Sequence, residues 1–106
     1  MDGHTASLFP SDRALNEREH LAVPVFLGDA MFRGQERRDR VTLTLPVLNG
    51  ARQVLFLATG PSKQKVIARI LDQGNPDGLP AGLVQPLHGD LFWFLDEAAA
   101  ALLAVK

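Results

Sequence analysis

The chain has 106 residues, 46% of them hydrophobic and 22% charged, which is an ordinary globular composition, so we expect one domain over residues 1–106. Eleven Lys and Arg against twelve Asp and Glu give a net charge of −1, so no nucleic-acid partner is expected. The absence of cysteine excludes disulfides and thiolate metal sites. No apolar run could cross a bilayer and no secretory signal opens the chain, so we expect a cytoplasmic protein with no membrane partner.

The first half of the chain is predicted to be a loop followed by strands. Residues 1–10 contain Gly, Ser and Pro and indicate a loop leading into a turn. Pro24 limits the apolar stretch 22–27 to an edge strand or an irregular segment. The charged stretch 33–40 indicates an exposed loop. Alternation of Val or Leu with Thr then predicts a half-buried strand over 41–45.

The second half is predicted to alternate helices with strands. Strands are expected over 54–58, where the apolar run fits burial on both faces, over 83–85, and over 91–95, with Trp93 and its Phe neighbours in the core. Helices are expected over 46–52, over 61–72, and after Asp96, which can cap the last one. This alternation predicts an α/β layered fold.

The opening loop holds two candidate catalytic residues, His4 and Asp2. An imidazole has an ordinary pKa of about 6.5, which suits a general base near neutral pH. The glycine beside His4 allows a tight loop with the ring exposed to a cleft, and Asp2 is near enough in sequence to orient that ring. The alternative is a flexible terminus in which Ser7 or Thr5 caps a turn.

The junction after the strand at 54–58 is a candidate substrate-binding site that contains Gly60 and Lys63. A helix start offers unpaired N–H groups and the positive end of the helix dipole, so it favours anions. A lysine there is unfavourable for the helix alone and favourable beside a bound phosphate. The alternative is a snorkelling Lys63 at the edge of the core. Lys65 and Arg69 lie off the apolar stripe and are interpreted as solvated.

Arg40 is a further candidate for contact with an anionic substrate, because it ends the charged loop just before a strand. The alternative is a solvated loop charge. His20 and His88 have no partner pattern and are interpreted as structural or surface residues. No spacing of His, Asp and Glu suggests a metal site.

Five segments, taken in order, resemble the 6-phosphogluconolactonases of the phosphosugar isomerase and lactonase family. They are Asp-Gly-His-Thr-Ala-Ser-Leu-Phe-Pro (2–10), Arg-Val-Thr-Leu-Thr-Leu-Pro-Val-Leu-Asn (40–49), Val-Leu-Phe-Leu-Ala-Thr-Gly with a lysine three residues on (54–63), Leu-Pro-Ala (79–81) and Trp-Phe-Leu-Asp-Glu-Ala-Ala (93–99). The resemblance implies a three-layer, Rossmann-like α/β sheet with flanking helices.

The same resemblance implies hydrolysis of 6-phospho-D-glucono-1,5-lactone to 6-phosphogluconate, a step of the oxidative pentose phosphate pathway, with no cofactor. The family's motif histidine falls on His4, which would act as the general base with Asp2 beside it. Lys63, after Gly60, matches the lysine that contacts the substrate phosphate, and Arg40 matches an arginine on the substrate side.

Two comparisons within the family refine this expectation. The related glucosamine-6-phosphate deaminases carry a glutamate where this chain has Phe9, which argues for the lactonase branch and against a deaminase-like isomerase. Family members are more than twice this long, so we expect a C-terminal portion that lacks the N-terminal half. Activity of these residues alone is then doubtful, and a non-catalytic sugar-phosphate-binding or interaction remnant is the alternative. Half a sheet also predicts weak stability, or self-association through the exposed sheet edge.

Overall fold

Four strands form two separate pairs in the computed structural model, which describes residues 2–26 and 39–104. The strands are β1 (Ala22–Phe26), β2 (Asp39–Leu43), β3 (Gln53–Ala58) and β4 (Asp90–Leu95). The helices are α1 (Leu45–Asn49), α2 (Gln64–Leu71) and α3 (Pro80–Leu83), with 3-10 turns at Arg13–Asn16 and Pro61–Lys63. None of the described helices combines the length and the apolar character that a membrane span requires.

The two strand pairs differ in direction. Strands β1 and β2 are antiparallel, with Val25 opposite Arg40. Strands β3 and β4 are parallel, with Phe56 opposite Trp93, and the chain between them contains α2 and α3. Parallel strands need such a crossover connection, and it places helices against the sheet. The predicted α/β class is therefore confirmed.

A core of buried side chains joins the opening loop to both strand pairs. Leu8 and Phe9 from the loop pack in one cluster with Val25 of β1, and Val54 and Phe56 of β3 pack against that cluster. The other buried members are Ala14, Leu45 and Val84. Burial of an aliphatic or aromatic side chain stabilises the fold by about 1.5–3 kcal/mol, so Leu8 and Phe9 anchor the loop that precedes them.

Strand β3 is covered on one face, which corrects the prediction of burial on both. Leu55 and Leu57 are 57% and 80% exposed, while Phe56 between them is half-buried. Phe92 and Phe94 lie opposite the two leucines and are also exposed. Placing these phenylalanines in the core was therefore wrong, because the described helices and loops pack on the Phe56 side.

Buried threonines lie in β2 and directly after it. Thr42 of β2 and Thr44, which precedes α1, are buried, whereas Val41 and Leu43 are exposed. Both hydroxyl groups are hydrogen-bonded: Thr42 Oγ1 donates to the Leu43 carbonyl oxygen at 2.8 Å, and Thr44 Oγ1 donates to that of His20 at 2.8 Å. Buried hydroxyls are tolerated when they are paired in this way.

Several predicted boundaries change. The strand predicted over 83–85 is wrong, because Pro80 starts the short helix α3 there. The helix predicted after Asp96 is replaced by turns over 97–102, where the alanines have little apolar surface to hold a helix by packing. Leu71, predicted on the buried stripe, is 40% exposed. Of the loop predicted over 33–40, residues 33–38 lie outside the described residues, and Asp39 and Arg40 begin β2.

Candidate active site

The loop that carries His4 is fixed through Gly3. Gly3 is buried and has a φ of +75°, in the left-handed region that favours glycine. A Cβ atom built on it would lie 2.9 Å from Leu79 Cβ and 3.2 Å from Val66 Cγ2. The carbonyl oxygen of Gly3 accepts a hydrogen bond from the Ala81 N–H at 2.9 Å. The Asp-Gly-His motif therefore needs glycine both for its backbone conformation and for its close approach to α2 and α3.

The residues after His4 tie the loop to β2. Thr5 and Leu8 exchange backbone hydrogen bonds across a tight turn, with the Leu8 N–H donating to the Thr5 oxygen at 2.9 Å. The Ser7 N–H donates to Thr42 Oγ1 at 3.1 Å. These bonds are made by the backbone of Thr5 and Ser7, and they tie the loop to the rest of the fold. The loop is packed against the fold on both sides of His4.

Asp2 and Phe9 hold the imidazole of His4. Asp2 Oδ1 lies 2.6 Å from His4 Nδ1 and also accepts the His4 backbone N–H at 3.0 Å. An ionised carboxylate can only accept hydrogen bonds, so this contact assigns the ring proton to Nδ1 and leaves the lone pair of a neutral ring on Nε2. The buried Phe9 ring stacks on the imidazole, with centroids 4.6 Å apart and 20° between planes.

The hydrogen bonds from His4 also determine the charge of Asp2. Partial burial opposes ionisation of the carboxyl group, but the bonds from the His4 ring and backbone, together with attraction to that ring, outweigh it and lower the pKa of Asp2 below its ordinary value of 3.8. Asp2 is therefore ionised at neutral pH. A carboxylate in this position stabilises the imidazolium that forms when Nε2 accepts a proton.

Lys63 lies at the end of the turn that links β3 to α2. Gly60, with φ +92°, begins this turn, and the Lys63 N–H donates to its carbonyl oxygen at 3.4 Å. Lys63 Nζ donates to the Thr59 carbonyl oxygen at 3.3 Å. The side chain is half-buried, with its ammonium close to the C-terminal end of β3.

His4 and Lys63 line one cavity of about 230 Å³. Its wall is otherwise largely apolar and includes the stacked rings of Phe56 and Trp93, whose centroids are 4.3 Å apart. The remaining lining residues are Gly3, Thr5, Leu57, Ala58, Val66, Ile67, Ile70 and Ala81. Among the lining residues that the structure describes, His4 and Lys63 are the ones with ionisable side chains. A base and a cation therefore face the same small, partly enclosed space.

The other predicted site residues are not among those that line this cavity. Asp2 reaches it through His4. Gly60 precedes Lys63 in the turn. Arg40 is half-buried in β2, on the same strand face as Thr42, and its Nη1 donates to the Asp39 carbonyl oxygen at 3.3 Å. Placing Arg40 in a loop was wrong, because β2 begins one residue before it.

Sequence reasoning did not identify three contributors to the site. Phe9 was used only to separate two branches of the family, yet it supports the imidazole. Trp93 was assigned to the core, yet it lines the cavity. Asp96 was expected to cap a helix, and its carboxylate does accept the Ala99 N–H, but it also accepts the N–H of Gly60. The sequence signal for Asp96 is its position directly after a strand, because ligand sites of parallel sheets lie at the C-terminal ends of the strands.

Two further features concern charged side chains. Over residues 2–26 and 39–104, no three His, Asp or Glu side chains are close enough to hold a metal ion. Arg69, interpreted as solvated, instead makes a forked contact with Asp77, with Nε donating to Oδ2 at 2.9 Å and Nη2 to Oδ1 at 2.8 Å. This pair is partly exposed and lies outside the set of residues that line the cavity.

Comparison with known proteins shows where this arrangement belongs. Residues 1–93 match the family model described as glucosamine-6-phosphate isomerases/6-phosphogluconolactonase. The chain belongs to this family. Human 6-phosphogluconolactonase is 54% identical over 104 residues, which are 98% of this chain and 38% of the human protein. The 6-phosphogluconolactonase of Synechocystis is 39% identical over 99 residues, which are 92% of this chain and 38% of that protein.

Solved structures show the same fold. The 6-phosphogluconolactonase from Trypanosoma cruzi superposes with a TM-score of 0.77 at 33% identity, over 97% of this chain and 38% of that one. The enzyme from Leishmania guyanensis gives 0.74 at 31% identity, over 96% and 38%. The expected isomerase/lactonase fold is therefore confirmed. This family member spans about 38% of the length of the curated relatives named above.

Proposed function

We propose that this chain carries the catalytic base and the phosphate contact of a 6-phosphogluconolactonase, which hydrolyses 6-phospho-D-glucono-1,5-lactone to 6-phosphogluconate in the oxidative pentose phosphate pathway. The observation that carries the proposal is the shared cavity of His4 and Lys63, with Asp2 holding the His4 ring in one tautomer. The likeness to relatives that bear this name supports it. The sugar-phosphate lactone is the proposed ligand.

His4 has the arrangement that water activation needs. Its Nε2 carries the lone pair, so it takes a proton from a water molecule as the water oxygen attacks the C1 carbonyl carbon. The bond between C1 and the ring oxygen then breaks, and the imidazolium returns the proton to that oxygen. One water molecule is consumed, and the products are the carboxylic acid and a hydroxyl group. The chemistry proposed for His4 uses no cofactor.

Lys63 is proposed to hold the phosphate group of the substrate. An ammonium group is a strong point-charge partner for phosphate, and the turn before α2 adds the favourable end of a helix. Its bond to the Thr59 carbonyl oxygen keeps the ammonium at the cavity.

Arg40 is proposed on the substrate side because it shares the face of β2 that contacts the His4 loop through Thr42. We place the reaction in the cytoplasm, which cell fractionation would test.

Phe9 argues against an isomerase or deaminase function for this site. In the deaminase branch a glutamate is expected at this position, and it would supply a second carboxylate for proton transfer. Here the residue is a buried phenyl ring stacked on His4. The site therefore has one imidazole base and the Asp2 carboxylate that orients it, which suits ester hydrolysis better than proton transfer between two carbons.

The proposal is tested most directly by measuring lactone hydrolysis. The protein to assay is a chimera in which this 106-residue chain replaces the matching segment of the human relative. We expect His4→Ala to lower kcat by about 10²–10⁴-fold, the range of general base catalysis. Lys63→Ala is expected to raise KM for the phosphorylated lactone by about tenfold, equivalent to about 1.4 kcal/mol, and to leave KM for glucono-1,5-lactone unchanged. Lys65→Ala is the matched control, because Lys65 is exposed and lies outside the cavity lining.

The outcomes separate the candidate functions. An unchanged rate for His4→Ala, after subtraction of the uncatalysed hydrolysis, would remove His4 from the mechanism and overturn the proposal. Binding of 6-phosphogluconate without turnover in the chimera would favour the non-catalytic sugar-phosphate-binding alternative. Equal effects of Lys63→Ala and Lys65→Ala would show that the phosphate is held elsewhere.

A further inference from the structure

Asp96 connects the C-terminal ends of the two parallel strands. It follows β4 directly, and both of its carboxylate oxygens accept the Gly60 N–H, Oδ1 at 3.1 Å and Oδ2 at 3.2 Å. Gly60 lies two residues after the end of β3, so this contact spans 36 positions of the chain. Oδ1 also accepts the Ala99 N–H at 2.8 Å. One side chain therefore holds the loops that leave both strands.

Gly60 needs such a restraint because of its backbone conformation. Its φ of +92° and ψ of 157° fall in a region that is open essentially to glycine alone. A Cβ atom at Gly60 would meet nothing within 4 Å, so conformation and not crowding requires the glycine here. Glycine is also free to adopt many other conformations. The hydrogen bond to Asp96 selects this one.

The conformation of Gly60 determines the position of Lys63. The Gly60 carbonyl oxygen accepts the Lys63 N–H, which closes the turn, and Lys63 Nζ returns to the Thr59 carbonyl oxygen. A rotation of the Gly60 peptide would therefore move both the backbone and the ammonium of Lys63. Asp96 itself is not among the residues that line the cavity.

The charge of Asp96 is consistent with this geometry. Hydrogen bonds from the N–H groups of Ala99 and Gly60 outweigh the opposing effect of desolvation, and attraction to Lys63 adds a smaller contribution, so the pKa of Asp96 is lowered. The carboxylate is therefore ionised at neutral pH, where it accepts hydrogen bonds strongly.

We propose that Asp96 is a positioning residue: it holds the Gly60 turn and thereby sets the place of Lys63 in the cavity that Lys63 shares with His4, so that the cavity prefers phosphorylated over unphosphorylated sugar acids. The inference rests on the proposed function, since it assigns phosphate binding to Lys63. Asp96 acts through Gly60 and Lys63 without touching the ligand. The competing role is purely local, a cap on the turn at Ala99.

Two variants of the 106-residue chain test both bonds, and the phosphate preference is the readout that a purely local cap at Ala99 would leave unchanged. In Asp96→Asn, one side-chain oxygen can still accept both N–H groups, as Oδ1 does now. In Asp96→Ala both bonds are lost. Glu97→Ala is the matched control, because it removes the neighbouring exposed carboxylate. NMR titration with 6-phosphogluconate and with gluconate gives the phosphate preference as a ratio of dissociation constants. Hydrogen exchange at the Gly60 amide without ligand reports the turn itself.

We expect Asp96→Ala to speed exchange at the Gly60 amide by about tenfold, as a local opening would, and to reduce the phosphate preference by a similar factor. Asp96→Asn and Glu97→Ala are expected to stay within about twofold of the unmodified chain. An unchanged preference in Asp96→Ala overturns the positioning role. A loss in Asp96→Asn equal to that in Asp96→Ala also overturns it, because charge would then matter and the bond to Gly60 would not.

The same experiment distinguishes failure of the proposed function. If the unmodified chain binds 6-phosphogluconate no better than gluconate, phosphate recognition by Lys63 is overturned, and the positioning role with it. In that case the rate of hydrogen exchange at the Gly60 amide in Asp96→Ala would still report whether Asp96 holds the Gly60 turn. If the unmodified chain shows the preference and Asp96→Ala leaves it unchanged, only the inference about Asp96 is overturned.

Discussion

Replacement of Gly3 by alanine tests how the catalytic loop is held. The added Cβ would lie 2.9 Å from Leu79 Cβ and 3.2 Å from Val66 Cγ2, closer than ordinary contact allows. Overpacking of this kind costs about 1–3 kcal/mol. A non-glycine residue with the φ of +75° seen at Gly3 costs about 1–2 kcal/mol more. We therefore expect Gly3→Ala to lower the free energy of unfolding by about 2–5 kcal/mol, from these two effects together.

Gly78→Ala is the matched control for this measurement. Gly78 also has a positive φ, of +62°, but a Cβ there would meet nothing within 4 Å. Gly78→Ala is therefore expected to lower the free energy of unfolding only by the cost of the positive φ, about 1–2 kcal/mol. Urea unfolding of the chain and both variants at pH 7 gives the comparison, provided that the slopes of unfolding free energy against urea agree. Equal losses in the two variants would refute the argument that the loop is fixed by contact with Leu79 and Val66.

Three further predictions follow from the structure. Because the pKa of Asp2 is lowered in the fold, its ionised form stabilises the protein above about pH 4 and the contribution is lost progressively as pH falls below the ordinary value of 3.8; Asp2→Asn should therefore be less stable than the unmodified chain at pH 7 in urea unfolding, and the difference should shrink as the pH is lowered below 3.8. The exposed face of β3 and β4 is expected to pair with a second copy of the chain, since a net charge of −1 gives little repulsion; sedimentation should show self-association that Leu57→Lys weakens and that Leu87→Lys, at an exposed position outside both strands, does not, and a compact monomer would contradict this. Arg69→Lys, which loses the forked contact with the partly exposed Asp77, should cost no more than about 1 kcal/mol, and the loss should shrink in 1 M salt; a larger, salt-independent loss would show that the pair matters in another way.

The predicted elements show how far local patterning reaches. The predicted bounds of β3 and β4 agree with the structure to within one residue, because a short continuous apolar run bounded by turn residues is typical of a buried strand. Pro46 correctly marked the first turn of α1. The strand predicted over 83–85 failed because three residues carry too little pattern to distinguish a strand from the end of a helix. Burial was harder to predict than conformation, since it depends on what packs against each face.

The inverted burial of β2 illustrates this limit. Alternation of Thr with Val and Leu correctly predicted a strand. Ordinary hydrophobicity would turn Val41 and Leu43 inward, yet Thr42 is the buried residue. The reason is a partner distant in sequence: the Ser7 N–H needs an acceptor, and Thr42 Oγ1 provides it. No local pattern contains that bond.

The sequence by itself determined the family through motifs whose order recurs. It identified His4 and Lys63 as candidates beside a structural alternative for each, and the resemblance to the family favoured the functional interpretation. Only the tertiary structure decided that these side chains, 59 positions apart in the chain, line one cavity. It also decided that Phe9 stacks on the His4 ring, whereas the contact of Asp2 with that ring was already expected from their spacing. The physical reason is that a pattern along the chain reports local conformation, whereas a site is made by packing that joins distant segments.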